Sequence, residues 1–290
     1  MPENLRLLRR KREIVREIRQ ITRAMKLVSA AKLKRSLDWR TAAQDYYVEL
    51  ESALTVLAAH SSDVSHPHLV ERPVERVGLL VVAGDKGLCG AFNARVITRA
   101  REFYRSCDAR VTTITVGART AEMARRARLN VVREFPAISE RERGADVRHI
   151  ARYVMDLHRN GQVDRVVCCY SRFLSRISNE PDLQQILPVP LPEAPTQAAE
   201  PVFEPIFEPT SEELLVTMIP QYVIARIFQL LLSGAVSEHS ARLMAMTAAT
   251  ENAEEMMDDL TRSINRARQA AITGELLDIA AGADALGQNA

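Results

Sequence analysis

Two stretches of this chain carry apolar or small residues at alternating steps of three and four. The longer one uses Val236, His239, Leu243, Met246, Thr250, Ala253, Met257, Leu260, Ile264, Ala267 and Ala271. That spacing lines one face of a helix, and a seam of this kind needs a second helix to cover it. No proline follows Pro220, so the predicted helix runs from Gln221 to about Leu286. At ~1.5 Å per residue it would be roughly 100 Å long. The second stretch, residues 4–60, holds neither proline nor glycine. Ile14, Ile18, Ile21, Met25 and Val28 mark its seam, which resumes at Ala43, Tyr47, Leu50, Leu54 and Leu57, with a predicted change of phase near Lys32–Arg40.

Between these stretches the pattern changes. Residues 76–82 read as a buried strand, 111–116 and 163–170 as further strands and 131–135 as a short one, with 91–106, 119–128 and 144–159 as helices. Strands alternating with helices indicate an α/β sheet covered on both faces. Phe173, Leu174, Ile177, Ile186 and Val189 are expected to extend it. Residues 181–209 carry eight prolines and no Lys or Arg, which suits an extended return segment. Thr210 or Ser211 can cap the helix that follows, with Glu212 and Glu213 near its positive end. The expected fold is α/β. A long antiparallel coiled coil of the N- and C-terminal helices holds an inserted, Rossmann-like α/β domain. The expected divisions are 1–62 for the first helix, 74–208 for the inserted domain with its proline-rich return, and 209–290 for the last helix.

Charge changes the picture more than composition does. The 290 residues balance to +2, so the chain as a whole is no nucleic-acid sponge. Residues 1–40, however, hold thirteen Lys/Arg against four Asp/Glu, and residues 251–290 hold three against eight. Such asymmetry suits helices that meet each other or charged partners. Aromatics are only 5%, which favours slim helix pairs. No uncharged run approaches the ~18 residues that would span a bilayer. The basic N-terminus lacks an apolar signal core. Cys89, Cys107, Cys168 and Cys169 form no CxxC spacing, which fits a reducing compartment.

Candidate chemistry is sparse. Gly84-Asp85-Lys86-Gly87-Leu88-Cys89-Gly90 lies between the first predicted strand and its helix, where a glycine turn could cradle phosphate. It matches neither GxxxxGK[ST] nor GxGxxG. The better reading of Gly84, Asp85, Lys86, Gly87, Cys89 and Gly90 is a tight turn that locks the α/β domain against a long helix, with Cys89 packed rather than reactive. His66 and His68 lack a third ligand nearby in sequence. No catalytic, cofactor-binding or metal-binding residues are assigned. A DNA-binding basic helix is disfavoured because Ile14 to Val28 keep a seam running through the basic zone. An enzyme built on the sheet would need an acid–base pocket that no constellation here supplies.

Three stretches carry a resemblance. They are Ile21-Thr22-Arg23-Ala24-Met25-Lys26-Leu27-Val28-Ser29-Ala30-Ala31-Lys32, the turn Gly84 to Asn93, and Asn265-Arg266-Ala267-Arg268-Gln269-Ala270-Ala271-Ile272-Thr273-Gly274-Glu275-Leu276 with Ala281-Gly282-Ala283. Together they resemble the gamma subunit of F-type ATP synthase, in its bacterial or cyanobacterial-like form, over almost the whole chain. The chloroplast insertion with two regulatory cysteines has no counterpart here. The resemblance implies a central rotor shaft. That shaft transmits torque between the ion-driven membrane ring and the catalytic hexamer, without itself being catalytic. Implied partners are the alpha and beta subunits, the epsilon subunit and the ring of c subunits, with no nucleic acid, no bilayer insertion and no cofactor. The implied place is peripheral, on the cytoplasmic side of a bacterial plasma membrane or on a thylakoid membrane. Met25, Lys26, Arg262, Arg268, Gln269, Thr273 and Glu275 are the implied torque-transfer or partner-contact candidates.

Overall fold

The computed structural model describes residues 3–60, 66–135, 143–190 and 207–287. Its elements are α1 (Glu3–Ala59), β1 (Arg76–Val82), α2 (Phe92–Ser106), β2 (Arg110–Val116), α3 (Ala118–Arg126), β3 (Val131–Phe135), α4 (Arg143–Arg159), β4 (Arg165–Phe173), β5 (Asn179–Leu187) and α5 (Ser211–Gly287). The chain divides into two compact units, Ala30–Arg242 and Met1–Ser29 with Leu243–Ala290.

The larger unit is built on a five-stranded sheet of order β3-β2-β1-β4-β5. β1 to β4 run parallel, and β5 closes one edge antiparallel to β4. Strand side chains alternate between faces. Leu80 and Val82 of β1 therefore join one core, with α4 and with the α1 and α5 segments around Leu54 and Ile219. Val77, Leu79 and Val81 join the other core, under Val96 and Ala100 of α2 and Ala124 of α3. Adjacent Cys168 and Cys169 fall in opposite cores for the same reason. The predicted extension beyond β4 is corrected in part. Leu174 and Ile177 lie in a turn, exposed, and the added strand begins only at Asn179. Pro181 sits in that strand, an edge position where its missing N–H is tolerated. Of the proline-rich return, 191–206 lie outside the described residues.

α5 starts ten residues before the predicted Gln221. Thr210 caps it, its Oγ1 accepting the Glu213 N–H at 3.3 Å. Pro220 removes one i→i−4 hydrogen bond, but the helix runs through it. Leu215, Ile219 and Val223 around it are 0–1% exposed, so packing holds the backbone helical. By length and composition α5 is apolar enough to cross a membrane, its most apolar stretch within Ser211–Leu277 having a mean hydropathy of 1.6. In this fold its apolar face belongs to the core. In this unit α1 and α5 are antiparallel: Tyr47 meets Tyr222 with hydroxyls 2.8 Å apart, while Gln229 donates to Gln44 at 3.0 Å.

In the smaller unit the two helices again pair antiparallel. Thr250 donates to Thr22 at 2.9 Å, and Arg19 pairs with Glu254 at 3.9 Å. The predicted seam of α5 stands: Met246, Thr250, Ala253 and Ile264 are buried, and Leu243, Met257, Leu260, Ala267 and Ala271 half-buried. The predicted seam of α1 is wrong by one residue. Its inward face is Leu5, Leu8, Arg12, Val15, Arg19, Thr22, Lys26 and Ser29, while Ile14, Ile18 and Ile21 are exposed. The same three–four spacing continues in the larger unit through Leu33, Ser36, Arg40, Ala43, Tyr47, Leu50, Leu54 and Leu57. No change of phase occurs near Lys32–Arg40.

Candidate functional site

The contact candidates implied by the resemblance all lie in the smaller unit. On α1, Met25 and Lys26 are half-buried, Lys26 on the inward face and Met25 beside it. On α5, Arg262, Arg268, Gln269, Thr273 and Glu275 are exposed. Half-buried Ala267 turns its neighbour Arg268 onto the flank, since successive helix residues diverge by about 100°. Arg262 pairs with Asp259 one turn earlier on its own helix. No hydrogen bond or ion pair among the described residues joins Met25 or Lys26 to the α5 candidates.

The same unit carries a feature that sequence reading misassigned. Leu7, Ile14, Ile21 and Val28 recur every seven residues on α1 and are 49–60% exposed, and Ile18 adds to the line at 47%. A helix with a second apolar line outside its own seam offers that line to something else. The signal was present in the sequence. Continuing the regular seam of Ala43 to Leu57 backwards by threes and fours reaches Thr22 and Val15, not Ile21 and Ile14.

The glycine turn lies in the larger unit, packed on α5. The Gly84 N–H donates to Asn93 Oδ1 at 2.8 Å, and Asn93 Nδ2 returns to the Lys86 carbonyl at 3.1 Å. A Cβ at Gly84 would meet Asn93 Oδ1 at 2.8 Å and the Glu238 carboxyl at 3.0 Å, so a larger residue here would displace both side chains. Asp85 Oδ1 accepts the Ala118 N–H at 2.9 Å at the start of α3. Arg242 of α5 donates through Nε and Nη2 to the Gly87 carbonyl, both at 3.3 Å, and pairs with Glu238 on its own helix. Gly90 takes φ 58° and Leu88 φ 61°, the left-handed region that closes the turn. Cys89 is 2% exposed, and burial raises its thiol pKa, which keeps it protonated and unreactive. Lys86 and Gly87 face solvent. The Gly84 N–H and the Lys86 and Gly87 carbonyls of the turn are thus bonded within the protein.

The structure supplies the third imidazole missing beside His66 and His68. His158, at the end of α4, brings its Nδ1 within 3.3 Å of His68 Nδ1, and His66 Nδ1 accepts the His68 N–H at 3.2 Å. All three rings are buried. Burial, then the charges of His66 and His158, lowers the His68 pKa to about 4. Burial also lowers His66 and His158, reinforced by Arg159 and Arg72 respectively. Among the described residues no group of His, Cys, Asp or Glu has the geometry to hold a metal ion. These rings pack as neutral imidazoles.

Two long terminal helices and, between them in sequence, an α/β sheet whose glycine turn packs on the last helix make up the fold. The family described as ATP synthase matches residues 4–286. The ATP synthase gamma chain of Desulfitobacterium hafniense is 39% identical over 279 residues, 96% of this chain and 98% of that one. The gamma chain of Pelotomaculum thermopropionicum is 38% identical over 283 residues, 98% and 99% of the two chains. The rotor of Euglena gracilis mitochondrial ATP synthase shares the fold, with a TM-score of 0.65 at 17% identity, covering 94% of this chain and all of that one. The chain belongs to the ATP synthase gamma-chain family. As such it is a component of a membrane-associated complex.

Proposed function

We propose that this chain transmits torque between an ion-driven ring of c subunits and the catalytic hexamer of alpha and beta subunits, and catalyses no step itself. The observation that carries this reading is the outward apolar line Leu7, Ile14, Ile18, Ile21 and Val28. Five large side chains left half in water on one helix face are what a shaft turning inside a ring of other subunits requires. In this reading the 1–62 and 209–290 helices form the shaft and 74–208 the domain that meets the epsilon subunit and the ring. The complex then lies on the cytoplasmic face of a bacterial membrane, or on a thylakoid membrane, with this subunit peripheral to the bilayer.

Arg268 and Gln269 are the proposed torque contacts, exposed and adjacent late in α5. Arg268 can donate several hydrogen bonds to a carboxylate, and Gln269 can donate and accept. Lys26, Thr273 and Glu275 supply further polar contacts in the same reading, and Met25 an apolar one. Replacing Arg268 and Gln269 with alanine leaves the fold intact and lowers ATP turnover per assembled complex, with subunit content quantified separately. Normal turnover with normal assembly in the double variant removes this pair from the mechanism.

A further inference from the structure

Three faces of the larger unit converge on one pocket of about 150 Å³. Arg40 and Gln44 reach it from α1, one turn apart; Tyr170, Arg172 and Gln184 from one face of β4 and β5; Arg226, Gln229 and Ser233 from one face of α5. The lining holds three guanidinium groups and no carboxylate.

The three cations are not equally satisfied. Arg172 is offset at the rim by Asp182 at 3.6 Å and Glu180 at 3.9 Å. Arg40 lies over the Phe173 ring at 5.5 Å, and Arg226 over the Tyr47 ring at 5.2 Å while donating to the Tyr47 hydroxyl at 2.8 Å. Among the described residues neither forms an ion pair. Both are half-buried; Glu51, which accepts from the Tyr47 hydroxyl at 2.9 Å, offsets Arg226 in part through that hydroxyl, while among the described residues Arg40 has only the ring face. Aromatic faces fix each plane and leave most of its five N–H donors for another acceptor.

The neutral groups point the same way. Gln44 Oε1 accepts from Gln229, which leaves the Gln44 amide N–H₂ to donate. Tyr170 donates to Gln184 Oε1 at 3.3 Å, which frees the Gln184 amide N–H₂ likewise. Burial pushes the Tyr170 pKa up to about 12, so it adds no negative charge. The pocket therefore has a surplus of donors and of positive charge. A cavity of about 150 Å³ has room for one small oxyanion with residual solvent. A carboxylate has two oxygens to offer, whereas a phosphoryl group has three or four and up to twice the charge. The latter matches donors arriving from three directions.

We propose that this pocket is a binding site for a phosphoryl oxyanion, held by Arg40 and Arg226 with Arg172 and the Gln44 and Gln184 amides completing the donor set. Its source is either free inorganic phosphate or the terminal phosphates of a nucleotide. Occupancy would tie α1, the sheet edge and α5 together through one shared ligand.

The test is calorimetric titration of the full-length chain at constant ionic strength with potassium phosphate, ADP, ATP and acetate in separate arms. Saturable one-site binding of phosphate is expected, with acetate weaker. Arg40→Gln should weaken it by about tenfold or more, the loss expected for a charge-assisted hydrogen bond. Because each arginine also packs on an aromatic ring, thermal melts accompany every variant. Gln184→Glu keeps both arginines and should abolish phosphate binding through repulsion. Nucleotide binding tighter than phosphate and lost in the same variants assigns the nucleotide as the source; equal or weaker nucleotide binding assigns free phosphate. Three results overturn the proposal: no saturable phosphate binding, affinity unchanged in folded Arg40→Gln and Gln184→Glu, or acetate bound as tightly as phosphate.

Discussion

The two units solve the same packing problem with different materials. In the larger one, α1 and α5 bury Leu50, Leu54, Leu57, Ile219, Val223 and Ile227 against a sheet. In the smaller one the same two helices have only each other, and the inward face of α1 holds Arg12, Arg19, Thr22, Lys26 and Ser29 among its few aliphatic residues. Burying a large aliphatic side chain stabilises by about 1.5–3 kcal/mol, whereas a Thr–Thr hydrogen bond contributes about 1 kcal/mol. The larger unit is thus anchored by area. The smaller is matched in register by polar pairs, with its greasiest residues turned outward.

That contrast can be broken by mutation. Leu54→Ala, at a side chain 1% exposed, should cost about 3 kcal/mol in denaturant unfolding of the larger unit. A loss below about 1 kcal/mol would mean the core there collapses around the gap. Acid attacks the same unit through the histidine cluster. Folded His68 has a pKa near 4 against an unfolded value of 6.5, so the unfolded chain binds more protons between those values. Stability is full above pH 6.5 and lost as pH falls toward 4. His68→Phe should flatten that slope in melts run from pH 7 to pH 4.

Ile264→Asp should cost about 2 kcal/mol by placing a charge in the smaller unit's seam, at a side chain 7% exposed. Hydrogen exchange should quicken around 255–271 and stay unchanged in the sheet. Equal protection in both forms would show the seam tolerates water there. The smallest effect belongs to Thr250→Val, about 1 kcal/mol, because the Thr22 hydroxyl still reaches the Arg19 carbonyl at 3.1 Å. With Thr22→Val added, the pair should return close to the starting stability, as removing both partners of a buried hydrogen bond often does. A double-mutant cycle by thermal melting measures it.

Much of this was legible in the sequence, for reasons that differ by region. The strands were readable because Val-Gly-Leu-Leu-Val-Val and Val-Val-Cys-Cys-Tyr are continuous apolar runs between turn residues. The α5 seam was readable because its buried positions are also its apolar ones. The α1 seam was not, because hydrophobicity and burial part company there. Ile14, Ile18 and Ile21 are more apolar than the Val15, Arg19 and Thr22 that face the partner helix. A pattern count follows the greasier line. The glycine turn's lack of a phosphate motif was readable, but its contact with Arg242 on α5 was not. Its role needs 155 residues of chain between donor and acceptor to be folded first. The histidine cluster and the arginine pocket were hidden for the same reason, each being assembled from several elements far apart in sequence.

One consequence of the α1 spacing has a hand. A strict seven-residue repeat, kept by both inward and outward lines, asks a 3.6-residue helix to behave as one of 3.5, and such a repeat favours a left-handed coil. A left-handed two-stranded rope is not indifferent to the sense in which it is wrung. Rotation in one sense tightens the strands onto Thr22, Thr250 and Ile264; rotation in the other opens them. If the chain turns as proposed, its polar seam is expected to resist twisting more in one sense than in the other, which torque–twist measurements in both senses would check.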